Sequence, residues 1–107
     1  HVQLTDTNRV TALEIKNIAV DSGVRRRGIG RALVEAAAAL ARGAGRSRLV
    51  VAMAAADTGN LRFYQRVGFR MRSIERDAFG QAEGYEPGAT IGGIELRDRV
   101  WLDRDLA

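Results

Sequence analysis

The chain has no cysteine, and its one histidine is the first residue, His1. Without thiols there can be no disulfide, no thiol nucleophile and no thiolate metal site. With the lone imidazole at position 1, neither a Ser-His-Asp triad nor a histidine-based zinc centre has its ligands, and we expect no metal. Lysine is as scarce: Lys16 is the only one, which excludes a phosphate loop built on Gly-Lys followed by Ser or Thr. Aromatic residues make up 6%, few for a surface that stacks successive bases. No apolar run approaches the length of a membrane span, and no basic-then-apolar signal opens the sequence. These absences lead us to expect a cytoplasmic domain with no membrane partner. Its 107 residues suit one domain with one core.

The formal charge of +4 comes almost wholly from arginine. Arg62, Arg66, Arg70, Arg72, Arg76, Arg97, Arg99 and Arg104 are scattered among Asp and Glu, so nucleic acid is a second choice as partner. One cluster stands apart: Val-Arg-Arg-Arg-Gly-Ile-Gly-Arg from Val24 to Arg31. An apolar strand runs into it and an amphipathic helix runs out. Gly28 and Gly30 let the backbone turn sharply and approach a ligand, and the first N–H groups of the following helix have no partner inside it. They point along the positive end of the helix dipole, where a phosphate or pyrophosphate is stabilised. Arg25, Arg26, Arg27 and Arg31 add fixed charge, and guanidinium meets phosphate oxygens with paired hydrogen bonds. A glycine-containing surface turn with solvated arginines is the plainer account of the same residues. A dinucleotide fingerprint does not fit, because Leu33 stands where a third small residue is needed.

In chain order, Val2–Asp6 and Val10–Val20 read as strands of a hairpin, the second becoming continuously apolar at Ile18, Ala19 and Val20. A helix over about 28–41 places Ile29, Leu33, Ala36, Ala37, Leu40 and Ala41 on one face, and Gly43 and Gly45 stop it. Arg48–Ala54 is the next strand, parallel to the previous one because a helix joins them. A short helix over about 60–67 is stopped by Gly68, and Phe69–Asp77 alternates as a strand. A long glycine-rich loop, Ala78–Gly93, precedes a closing strand Ile94–Leu106.

The order strand, Arg-x-x-Gly-x-Gly, helix, strand, short helix with Phe-Tyr-x-x-x-Gly-Phe, strand resembles the GNAT superfamily of acetyl-CoA-dependent N-acetyltransferases. Gly28-Ile29-Gly30, with Arg25 in the first position, is similar to one family signature, and Phe63-Tyr64-Gln65-Arg66-Val67-Gly68-Phe69 to the other. The tail is similar to a small bacterial branch. The resemblance implies an α/β fold: a GNAT-like core whose mixed β-sheet carries packed helices and splays between the Val10–Val20 and Arg48–Ala54 strands, with acetyl-CoA in the cleft. Backbone groups at Ile18, Ala19 and Val20 would pair with the pantetheine arm, and those from Arg25 through Ile29 to Arg31 would hold the pyrophosphate.

The resemblance further implies transfer of an acetyl group to a primary amine of a small molecule, an amine-bearing antibiotic being one candidate. Attack needs the neutral amine, and an alkylammonium has a pKa of about 10, so a base must take its proton. Glu14 stands 11 residues before Arg25, where some family members carry a catalytic glutamate; a solvent-facing strand glutamate is the alternative. Tyr64 occupies the family position that hydrogen-bonds the CoA sulfur and protonates the leaving thiolate; a core aromatic beside Phe63 is the alternative. Where many relatives have asparagine seven residues before the tyrosine, this chain has Asp57, and Asn60 either takes over the polar contact or caps the helix. The family also has a strand and two helices ahead of Val2, so the chain reads as one domain, 1–107, N-terminally truncated, with a sheet edge or apolar face covered by the lost segment or by a second copy in a homodimer. Two other functions remain open: a CoA-binding module without activity, and a basic nucleic-acid-binding domain.

Overall fold

A computed structural model describes residues 3–6, 12–16 and 29–106, with side chains described from Gly30 to Leu106. The chain forms two compact units, His1–Val51 with Asp103–Ala107, and Ala52–Leu102.

In the first unit β1 (Gln3–Asp6) pairs antiparallel with β2 (Ala12–Lys16), Leu4 opposite Ile15. β2 pairs parallel with β3 (Arg48–Ala54), from Ala12 opposite Arg48 to Ile15 opposite Val51. The sheet is therefore mixed, as the helix between β2 and β3 requires. The far side of β3 is taken by the end of β7 (Arg99–Asp105), and beyond that strand the Leu106 N–H donates to the Ser47 carbonyl at 2.8 Å. The rest of the expected Val10–Val20 strand lies outside the described residues.

Helix α1 spans Ile29–Gly43. Its buried stripe is Gly30, Val34, Ala37, Ala38 and Ala41, one step round from the expected face. Ala36 and Leu40 are exposed, Leu40 to 66%. The helix is apolar nearly all round, so periodicity offers two adjacent stripes. The one rich in alanine is buried because small side chains let the helix axis approach the strands closely. Gly45, at φ 78°, ends α1: its N–H donates to the Arg42 carbonyl and the Arg46 N–H to Ala41, at 3.0 and 2.9 Å. That pair of bonds satisfies carbonyls the helix leaves open.

In the second unit the strand order is β3, β7, β4, with β4 covering Arg70–Glu75. Helix α2 spans Thr58–Arg66, two residues earlier than the sequence suggests, because Asp57 rather than Asn60 caps it. Its core comprises Met53, Ala54, Ala56, Tyr64, Val67, Phe69, Ala78, Val100 and Leu102. All six residues of β4 are exposed, Met71 to 55% and Ile74 to 67%. The strand stops short of Asp77, which sits at φ 59°.

The expected closing strand Ile94–Leu106 is two elements. Ile94–Glu95 (β6) pairs antiparallel with Thr90–Ile91 (β5), and β7 begins only at Arg99. Between β5 and β6, Gly92 and Gly93 both take positive φ, 57° and 82°, the backbone a two-residue hairpin turn demands. A 3-10 turn at Gln81–Glu83 gives the loop before them a further fixed point. No helix among the described residues is long and apolar enough to cross a membrane.

Candidate active site

Of the residues expected to bind or act, Ile29, Gly30 and Arg31 belong to the first unit and Asn60 and Tyr64 to the second. In the first, Ile29 opens α1, Gly30 is buried in its first turn and Arg31 is exposed. The first turn holds no acidic residue. The nearest acid along the helix is Glu35. Its two oxygens accept from Arg104 Nη1 and Nη2 at 2.8 and 3.0 Å. This bidentate bond, against a smaller opposing effect of burial, holds the Glu35 carboxyl below its usual 4.5, with Arg31 and Arg42 adding weaker attraction. The anionic charge on α1 is thus matched by β7. Ile18, Ala19, Val20, Arg25, Arg26, Arg27 and Gly28 lie outside the described residues, as do the side chains of Ile29 and Glu14. The backbone of Glu14 is placed in β2, opposite Thr5 and Val50.

In the second unit Tyr64 is held between two aromatic rings. Its ring is 6% exposed and meets Phe63 edge-on at 5.0 Å and Phe69 at 5.3 Å. The end of α2 fixes the second contact. Gly68, at φ 99°, donates to the Gln65 carbonyl, and the Phe69 N–H reaches back to the Tyr64 carbonyl at 2.9 Å. A helix closed in this way brings the residue after the glycine against the one five positions earlier. The spacing Tyr-x-x-x-Gly-Phe is therefore one structural device: the glycine turns the chain, and the phenylalanine returns to buttress the tyrosine.

Asn60 lies one helical turn before Tyr64 on the same side of α2. The Asn60 N–H donates to Asp57 Oδ1 at 3.3 Å, and the Asn60 Nδ2 donates to Asp57 Oδ2 at 2.7 Å. Asp57 is thereby the cap, and both of its oxygens are engaged by one residue at the positive end of the helix. Of the two roles expected for Asn60, the capping side chain belongs to Asp57 instead.

The loop after β4 is organised by contacts that its composition does not announce. Glu75 Oε1 accepts from Arg99 Nη1 at 3.1 Å and from Trp101 Nε1 at 3.3 Å. The Arg99 guanidinium lies 4.8 Å over the Phe79 ring, which meets Tyr85 edge-on at 5.1 Å. Asp98 Oδ1 accepts from the Asp77 N–H, and the Arg97 carbonyl from the Phe79 N–H. Glu83 Oε1 accepts from the Gly80 N–H at 3.0 Å. The Gly-Gly between Thr-Ile and Ile-Glu was the one sequence signal for the hairpin.

A model of the acetyltransferase (GNAT) family matches residues 1–69, more than half of the chain. An uncharacterised N-acetyltransferase of Bacillus subtilis is 33% identical over 98 residues, 92% of this chain and 62% of that protein. The chain thus spans less than two thirds of that relative's length. Among solved structures, an IAA acetyltransferase from Bacillus cereus is 36% identical, with a TM-score of 0.84 over 97% of this chain and 67% of its own. A Bacillus subtilis acetyltransferase in complex with CoA is 32% identical, with a TM-score of 0.86 over 99% of this chain and 68% of its own. The strand order, the parallel β2–β3 pair and the buttressed tyrosine are the local physics of that likeness, and the chain belongs to the acetyltransferase (GNAT) family.

Proposed function

We propose that residues 1–107 act as one acetyltransferase domain that moves the acetyl group of acetyl-CoA to a primary amine of a small molecule. The observation that carries this reading is Tyr64, buried and buttressed by Phe63 and Phe69 in a family-matched motif. The complex of a relative with CoA supports the choice of cofactor.

In this reading the N–H groups from Arg25 to Arg31, including Gly28, Ile29 and Gly30, hold the pyrophosphate, and the backbone at Ile18, Ala19 and Val20 pairs with the pantetheine arm. Glu14 takes a proton from the ammonium through water. The free amine attacks the thioester carbonyl, and a strand N–H near Ile18 or Ala19 stabilises the oxyanion. Collapse breaks the C–S bond, and the second proton that the acetylated nitrogen must lose restores the Tyr64 phenol. The Tyr64 hydroxyl donates to the departing thiolate, a transfer that a phenol of pKa about 10 can make to a thiol of pKa about 8.5 when the two are hydrogen-bonded.

The test is calorimetric titration with acetyl-CoA, followed by thiol release over a panel of primary amines. Micromolar binding with amine-dependent release of CoA supports the reading. Asp57, standing where many relatives have asparagine, favours one second reading, a CoA-binding module without turnover. Binding with no thiol release on any amine selects it.

A further inference from the structure

We infer that the outer edge of β4, with the groove between it and α2, binds an extended acidic segment of another protein as an added strand; this does not depend on the reading of the cofactor site. Among the described strands β4 has one neighbour, β7, so its other edge presents backbone N–H and C=O groups to any strand laid alongside. None of its six residues is buried, and packing therefore does not dictate their identity. Side chains alternate across the sheet, with Arg70, Arg72 and Ile74 on one face and Met71, Ser73 and Glu75 on the other. Each face offers one large apolar residue, Met71 at 55% and Ile74 at 67% exposed. On the Met71 side, strand and helix border an open groove of about 460 Å³ lined by Thr58, Leu61, Arg62, Gln65, Arg66 and Met71. At about 100° per residue, Thr58, Arg62, Gln65 and Arg66 fall on the side of α2 away from Asn60 and Tyr64, which separates the groove from the proposed cofactor site. The acid on this face, Glu75, already accepts from Arg99 and Trp101. An extended peptide joins a sheet by bonding its backbone to the edge and sending alternate side chains into the neighbouring groove. A glutamate entering here lays its stem on Leu61 and Met71 and its carboxylate near Arg62 and Arg66.

Charge selects the occupant. Arg62, Arg66, Arg70, Arg72 and Arg76 are all exposed around this edge, and edge charge is how a sheet keeps its own kind away. A closed pair of copies joined edge to edge by antiparallel β4 strands has its two-fold axis perpendicular to the sheet, so residues equidistant from the axis stand opposite each other. Centred on Met71, such a pair sets Arg70 against Arg72; centred on Arg72, it sets that residue against its own copy. Centred on Ser73 it opposes Arg70 and Arg76, and centred on Ile74 it opposes Arg72 and Arg76. Every register through the middle of β4 thus places like charges across the strands, which is destabilising. The same arginines attract a strand that carries Asp or Glu.

The experiment is fluorescence anisotropy of the chain with a labelled, end-capped octapeptide of alternating glutamate and valine, with amide hydrogen exchange of β4 in the same mixture. Three probes accompany it: the same peptide N-methylated at every second residue, its lysine-for-glutamate counterpart, and a single-stranded oligonucleotide of equal charge. We expect the acidic peptide to bind and to slow exchange along β4, and the lysine peptide not to bind. The N-methylated peptide, which keeps the charge and loses the strand hydrogen bonds, should bind about tenfold more weakly. Arg62→Glu with Arg70→Glu should weaken the acidic peptide about tenfold and melt within a few degrees of the wild type. A folded chain that binds no acidic peptide overturns the proposal. So does equal affinity for the N-methylated peptide, which marks a charge patch only, or an oligonucleotide bound as tightly, which marks a phosphate surface. A dimer in sedimentation velocity whose β4 amides are protected without peptide assigns the edge to a second copy and overturns it as well.

Discussion

Tyr64 shows how neighbouring rings place a single side chain. Its two aromatic neighbours would be equally content with phenylalanine, because edge-to-face contact needs the ring and not the hydroxyl. Tyr64→Phe keeps both ring contacts and is expected to fold, while lowering kcat by about ten- to a hundredfold, roughly the worth of one positioned acid. Chemical denaturation and steady-state thiol release measure the two halves. Gly68 is the complement, a residue that matters only through its backbone. At φ 99° an added Cβ is strained, and Gly68→Ala should cost about 1–2 kcal/mol, with kcat falling as the Phe69 buttress shifts. Glu35 offers a pH signature. Its carboxyl is held below the usual 4.5, first by the Arg104 hydrogen bonds, so its contribution to stability is present above that value and lost as pH falls through the lowered one. Its side chain is 46% exposed, and solvent screening keeps the contribution below about 1 kcal/mol. Glu35→Gln should be slightly less stable than the wild type in urea at neutral pH, and the gap should close below the lowered pKa.

At the level of elements, α1 separates apolar residues that are buried from those that merely look alike in sequence. Ala38, fully buried, is expected to resist enlargement: Ala38→Leu should cost about 1–3 kcal/mol through overpacking. Leu40→Ala should change stability by no more than about 0.5 kcal/mol, and paired melts would show the contrast. This is also where the sequence was hardest to read. Leu33, Ala36 and Leu40 recur at helical spacing as faithfully as Val34, Ala37 and Ala41, and only the closeness of the strands decides between them. The glycines were the clearest signals, for Gly45 and Gly68 end their helices as expected, and Arg48–Ala54 has the bounds the sequence indicated. Asp57 as cap moved the start of α2 two residues earlier. The hairpin at Gly92-Gly93 was hidden in a stretch read as loop, because two-residue strands leave no alternation to detect. Of the candidate site, Tyr64 and its motif were legible as a resemblance. The bonds from Asn60 to both oxygens of Asp57 were not, since they depend on a helix boundary the sequence misplaces.

For the whole molecule, ligand binding and stability are one measurement. If acetyl-CoA binds the folded chain alone, a concentration about 100 times Kd adds about 2.7 kcal/mol, which for a chain of this size raises Tm by on the order of ten degrees. Differential scanning fluorimetry with acetyl-CoA, CoA and inorganic pyrophosphate would rank how much of the cofactor contributes. The excursion between β4 and β7 obeys a separate rule. Its ends are fastened by the Asp77–Asp98 and Phe79–Arg97 bonds, so replacing Gln81–Glu95 with Asn-Gly should leave Tm within a few degrees, the entropy of closing a loop depending only weakly on its length.

A segment whose two feet are locked together is insulated from the sheet it stands on. Insertions between those feet can lengthen it without moving a strand.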